Sequence, residues 1–198
     1  MVHLCLDFEG VLIPEIWQCL AKEVNSDDLM LTTQDLKDYD ELMSLRMKVV
    51  NEKNIKLSDI QKIVRDIDPF DGAQEFLDWA RSKFQVTIVS DTFYELAWPL
   101  VEKLGYPSII CHNMTVENDK ITGYELRQTN NKQKVIEALQ SLKFKVFASG
   151  DSYNDINMLN TADLGIFFQA PEHIKGEYPH LLTASSHNEL KKILEEHI

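Results

Sequence analysis

His3-Leu4-Cys5-Leu6-Asp7-Phe8-Glu9-Gly10 opens with a short, largely apolar run that stops at a carboxylate. A strand buried on both faces reads as such a run rather than as an alternation of apolar and polar residues. The stretch therefore predicts a buried parallel strand that delivers Asp7 to its C-terminal end. The same signature returns twice. Gln85-Val86-Thr87-Ile88-Val89 runs into Ser90-Asp91-Thr92, and the run from Lys145 to Ala148 into Ser149-Gly150-Asp151.

The segments between these runs are helical in period. Glu15 to Val24 suits one helix, and Asp38 to Lys53 a second, with Leu42, Leu45 and Val49 on one face. Ser58-Asp59-Ile60-Gln61 has the form of a capping box that starts a third, running to Ile67. Pro69 and Asp71-Gly72 close this stretch, which holds no convincing strand. Ala73, Leu77, Ala80 and Phe84 resume a helix, and another precedes Gly105, with Pro99 inside it. Ser108 to Val116 and Lys120 to Leu126 read as strands joined by the turn Glu117-Asn118-Asp119. Lys132 opens a helix, Asn154 to Leu159 forms a short one, Leu164 to Phe168 is a strand, and Ser186-His187-Asn188-Glu189 caps the last helix. Strands alternating with helices predict an α/β fold: a doubly wound (Rossmann-like), mostly parallel sheet. The all-helical interval predicts a small inserted helical cap at residues 14–70, leaving 1–13 and 71–198 as the α/β core.

The chain has 198 residues, enough for a substantial core. It carries 20 Lys and Arg against 32 Asp and Glu, a formal net charge of −12. So acidic a surface repels phosphate backbones and anionic lipid, which argues against nucleic acid and membranes as partners. Cys5, Cys19 and Cys111 are too few and too scattered for a disulfide framework or a zinc site, so a reduced compartment is expected. The opening residues lack the pattern of a signal peptide, and no apolar stretch reaches the length of a membrane span. A cytoplasmic protein is the expectation, and on that reading the sequon Asn113–Thr115 goes unused.

Ligands bind open parallel sheets outside the carboxyl ends of the strands. Asp7 and Glu9, Ser90 and Asp91, and Asp151, Asn154 and Asp155 stand at three such ends, with Lys132 at a helix start. Singly, each has a plain structural explanation: turn former, helix cap or solvated first-turn residue. Together they bring several carboxylates, a hydroxyl and an ammonium to one crevice.

Asp7-Phe8-Glu9-Gly10-Val11-Leu12, Ser90-Asp91-Thr92, Lys132 and Gly150-Asp151-Ser152-Tyr153-Asn154-Asp155 resemble, in order, the four motifs of the haloacid dehalogenase superfamily. The short helical insert, with the stretches around Asp7 and Asp151, is most similar to the phosphoserine phosphatase-like subgroup described as bifunctional phosphoserine phosphatase / homoserine phosphotransferase. That resemblance implies Asp7 as a nucleophile that becomes an aspartyl phosphate, and Glu9 as acid and base. It implies Mg²⁺ on Asp7, Asp151 and the backbone carbonyl of Glu9. Ser90, Asp91, Lys132 and Asn154 would hold substrate or phosphoryl oxygens, helped by backbone amides after Asp7 and Ser90. Asp155 would support Lys132 or the metal waters. Most phosphatases of the superfamily carry Asp where this chain has Glu9, so the acid/base geometry differs by one methylene.

Glu15 resembles the residue that meets the substrate amino group, and Arg46 the one that pairs with its carboxylate. A guanidinium matches a carboxylate bidentately. The implied reaction is release of L-serine and phosphate from L-phosphoserine, with homoserine as a second candidate acceptor and a homodimer as a candidate assembly. Two rivals remain: a phosphatase of the same superfamily for another small phosphomonoester, and a non-catalytic aspartyl-phosphate signalling module. The latter usually lacks a helical insert after the first strand.

Overall fold

The computed structural model describes residues 1–32, 35–36 and 38–198. Seven strands form one sheet in the order β4-β3-β2-β1-β5-β6-β7. They are β1 Val2–Leu6, β2 Gln85–Phe93, β3 Ser108–Glu117, β4 Lys120–Glu125, β5 Lys145–Gly150, β6 Leu164–Phe168 and β7 Leu182–Ala184. Every pairing is parallel except the β3–β4 hairpin at one edge. That hairpin turns through Asn118 and Asp119, both with positive φ, which suits the twist of the flanking strands.

Alternation along β1 divides the core. Leu4 and Leu6 join one apolar cluster with α4 (Ala73–Lys83), α5 (Tyr94–Lys103) and α9 (His187–Glu196). Cys5 joins the other with α6 (Asn131–Ser141), α7 (Ile156–Thr161) and α8 (Glu172–Glu177). A strand turns successive side chains to opposite faces, so both faces of the sheet are covered by helices. The doubly wound α/β fold is as expected. Burial pushes the Cys5 and Cys111 thiols up to about 12, and all three cysteines are free.

Between β1 and α4 the described residues form α1 (Ile16–Val24), a 3₁₀ turn at Asp27–Met30, α2 (Tyr39–Glu52) and α3 (Leu57–Asp66). Trp17, Leu20, Leu29, Met43, Ile60 and Val64 from this stretch pack into the first cluster. Its two chain crossings meet where the Phe70 amide donates to Leu12 O at 3.0 Å. His187 spans both crossings, its ring nitrogens 3.1 Å from Asp71 O and 2.9 Å from Val11 O.

Several local expectations are corrected. Ser58 does not cap α3. The N-cap is Lys56, and Asp119 from the β3–β4 turn takes the orphan donors: its carbonyl accepts from the Leu57 amide and its carboxylate from the Ser58 amide and hydroxyl. Ser90 caps no helix either, because β2 continues to Phe93 with a register shift after Val89. At the chain's far end, Ser186 does cap α9, accepting from Glu189 N at 3.2 Å. The strand β7 was not foreseen. No helix among the described residues is long and apolar enough to cross a membrane.

At Gly165 of β6 the end of α7 lies close against the sheet. A Cβ there would overlap the carbonyl group of Leu159, which is backbone and cannot swing away. Gly165→Ala is expected to destabilise the fold by about 1–3 kcal/mol. Gly123→Ala on β4, where the nearest atom stands at 3.8 Å, should shift stability by no more than about 0.5 kcal/mol. Urea unfolding of the two variants checks the contrast.

Candidate active site

The β1 ladder extends one residue past the strand, since Asp7 N donates to Ser149 O at 2.9 Å. This pins the Asp7 backbone at the carboxyl edge of the sheet. Its carboxylate accepts from Phe8 N at 2.7 Å through Oδ1 and from Lys132 Nζ at 2.8 Å through Oδ2. The Phe8 amide is therefore engaged by Asp7 itself.

Lys132, in the first turn of α6, is buried and reaches a second carboxylate, Asp155 Oδ1, at 2.7 Å. Asp155 is wholly buried, and its other oxygen accepts from the amides of Asp151 at 3.0 Å and Ser152 at 3.2 Å. Burial opposes the Lys132 charge, yet Asp155, Asp7 and Asp91 hold its pKa well above the ordinary lysine range. Burial followed by the repulsion of Asp155 raises Asp7, with Lys132 pulling the other way.

Asp7, Asp151 and Asp155 offer carboxylate oxygens that all lie within 4.8 Å of one another. Burial and the charge of Asp155 push Asp151 up to about 7. Such crowded carboxylates suit a hard divalent cation, which takes oxygen donors. Two glycines make the room: a Cβ at Gly10, where φ is +80°, would overlap the Asp151 carboxylate, and one at Gly150 would overlap that of Asp155.

The Glu9 carboxylate stands outside this cluster but lines the same cavity as Asp7. Its Oε1 accepts from Ile16 N at 2.8 Å and so caps α1. Burial, then the neighbouring Glu15, pushes Glu9 up to about 8. Glu15, the N-cap residue of α1, makes no capping bond with its side chain. Arg46 of α2 is buried, its Cζ 4.9 Å from the centre of the Trp17 ring. One Nη donates to Leu31 O at 3.1 Å, the other lies 3.8 Å from Met43 Sδ, and Nε has no partner among the described residues. Burial lowers the Arg46 pKa, and Glu9, Tyr39 and Glu15 oppose that, so the guanidinium already has anionic neighbours.

One cavity brings together Asp7, Glu9, Glu15, Arg46, Ser90, Asp91, Lys132, Asp151 and Asn154. Asp155 stands just behind it, against Lys132. Ser90 Oγ accepts from Thr92 N at 3.2 Å, inside the irregular stretch of β2. A bulge of this kind re-aims side chains, and is common beside active sites. Asp91 is brought down to about 2: burial alone would raise it, but Lys132 and hydrogen bonds from His112 and Asn154 outweigh that. Sequence reasoning missed Tyr39, whose hydroxyl donates to Asp91 O at 3.1 Å across the mouth of the cavity. The Trp17 ring also lines the cavity, beneath Arg46. Neither role leaves a local signal, because each depends on a partner far along the chain.

A crevice at the carboxyl ends of a parallel sheet, with a lysine between two buried carboxylates and room for a cation, defines a class of phosphoryl-transfer enzyme. The chain belongs to the haloacid dehalogenase-like hydrolases, whose family profile matches residues 12–160. It is 45% identical over 189 residues to phosphoserine phosphatase ThrH of Pseudomonas aeruginosa, covering 95% of this chain and 92% of that one. It is 46% identical over 189 residues to a phosphoserine phosphatase of Pseudomonas syringae pv. tomato, covering 95% and 80%. Among solved structures, a phosphoserine phosphatase in apo form superposes with a TM-score of 0.78 at 22% identity, covering 98% of this chain and 97% of that one. That likeness establishes the fold.

Lys132→Met would leave Asp7 and Asp155 facing each other without a countercharge. Breaking a buried pair in this way costs roughly 3–5 kcal/mol. The expected result is a matching drop in unfolding free energy, read from denaturant midpoints, together with loss of phosphatase turnover.

Proposed function

We propose that this enzyme hydrolyses L-phosphoserine to L-serine and phosphate by way of a phosphorylated Asp7. The observation that carries the substrate is the pair Glu15 and Arg46. One offers a carboxylate without a capping bond and the other a guanidinium with an unpartnered Nε, in the same cavity as Asp7. A zwitterion with an ammonium and a carboxylate complements both. The names of the chain's relatives agree with this reading.

In the first step an Asp7 oxygen attacks phosphorus and the bond from phosphorus to the serine oxygen breaks. Glu9 gives its proton to the departing alkoxide. Ser90 and Lys132 hold the phosphoryl oxygens as charge shifts toward the leaving group, with Asn154 orienting the ester. In the second step Glu9, now a carboxylate, takes a proton from water as that water attacks phosphorus, and Asp7 is restored. Asp7, Asp151 and the Glu9 carbonyl would hold Mg²⁺, with Asp155 close by. The ion supplies charge neutralisation between an anionic nucleophile and an anionic phosphoryl group.

Residues 14–70 act as a cap over the core formed by 1–13 and 71–198. The cap carries Glu15, Tyr39 and Arg46, so it selects the substrate while the core does the chemistry. Homoserine is proposed as a second acceptor: its primary alcohol takes the place of water, with Glu9 again as base. The enzyme is placed in the cytoplasm, in serine biosynthesis, and its assembly as a homodimer is a matter for sedimentation.

Arg46→Ala tests the substrate. Losing hydrogen bonds to a charged group costs about 1.5–3 kcal/mol, or roughly ten- to a hundredfold in kcat/KM for phosphoserine. Turnover of an aryl phosphate, which has no amino-acid groups, should change far less. Equal losses on both substrates would count against the amino-acid pocket.

A further inference from the structure

His112 stands on β3 opposite Phe93 of β2, with its side chain 4% exposed. Its Nδ1 accepts from the Arg127 amide at 3.0 Å. The neutral ring therefore carries its proton on Nε2, which lies 3.5 Å from Asp91 Oδ1. Arg127 is held in turn, its Nε donating to Cys111 O at 3.0 Å. The Phe93 ring packs against the imidazole with centroids 6.0 Å apart.

Asp91 is where these contacts lead. Its Oδ2 accepts from Asn154 Nδ2 at 3.2 Å and lies 3.8 Å from Lys132 Nζ. Its main-chain oxygen accepts from Tyr39. The residue sits in the stretch where β2 leaves register with β3, so strand pairing does not set its direction. Side-chain partners must do so, and His112 is the one that meets Oδ1 rather than Oδ2.

We infer that His112 is a positioning residue: by engaging Asp91 Oδ1 it keeps Oδ2 aimed at Asn154 and Lys132, the groups that meet the phosphoryl ester. This rests on the proposed roles of Asn154 and Lys132. A histidine that merely filled space would need only its shape. Here the Arg127 amide dictates the tautomer, and the remaining donor nitrogen, Nε2, stands 3.5 Å from a carboxylate of the active-site cavity.

The test compares His112→Leu, which keeps bulk but removes the donor, with His112→Gln, whose amide nitrogen can stand near the place of Nε2. Steady-state kinetics are run on phosphoserine and on an aryl phosphate, with melting temperatures alongside. The leucine variant should raise KM for both esters about three- to tenfold, with a smaller change in kcat. The glutamine variant should return KM to within about twofold of the parent enzyme, even where the two variants melt alike. In an Asp91→Asn background, His112→Leu should add little, since residues acting as a unit are not additive. Should the leucine variant fail to fold, His112→Asn replaces it, keeping an acceptor for Arg127 without reaching Asp91. Equal impairment of glutamine and leucine variants, or a change in melting temperature with KM unmoved, would reduce His112 to packing and overturn the inference. A parent enzyme that turns over the aryl phosphate but not phosphoserine would instead overturn the substrate reading, and the His112 comparison would still stand.

Discussion

A single buried ammonium holds the site together. Lys132 lies 2.8 Å from Asp7, 2.7 Å from Asp155 and 3.8 Å from Asp91, and almost none of it reaches solvent. A lysine this deep would shed its proton if it were alone. Three carboxylates keep it charged, and it in turn lets them stay close. The balance still leaves an excess of negative charge, because Asp151 joins Asp7 and Asp155 in the same cluster. An anionic ester approaches such a place only if a cation offsets the excess. The acidic cluster and the phosphoryl chemistry are thus two sides of one requirement.

The sheet explains why the groups meet there. Parallel strands all end on one side, so β1 delivers Asp7, β2 delivers Ser90 and Asp91, and the segment after β5 delivers Asp151, Asn154 and Asp155 to a common edge. The helical stretch after β1 folds back over that edge and supplies Glu15, Tyr39 and Arg46. It is not loosely attached. Asp119 caps α3 from the hairpin turn, Gln61 donates to Glu95 O at 2.8 Å, and Lys103 donates to Ile67 O at 2.7 Å.

Much of this was legible in the sequence, for a physical reason. A buried parallel strand must be apolar through its length, so a carboxylate at its end is conspicuous. Asp7 and Asp151 announce themselves in this way, and Asp91 nearly so. What stayed hidden depends on contacts distant in sequence. The cap of α3 comes from Asp119, sixty-one residues beyond Ser58, and no local pattern announces it. Tyr39 matters through Asp91, fifty-two residues away. The bulge that carries β2 past Val89 depends on its neighbour β3. The strand β7 has three residues, two of them exposed, and so shows no apolar run at all.

The central claim is that Asp7 carries the phosphoryl group between donor and acceptor. Acid quenching of the enzyme during turnover of phosphoserine, followed by peptide mass spectrometry, tests it directly. The account predicts a hydroxylamine-labile phosphoryl adduct on Asp7. Sustained turnover with Asp7 never modified, or with the adduct on another residue, would contradict it.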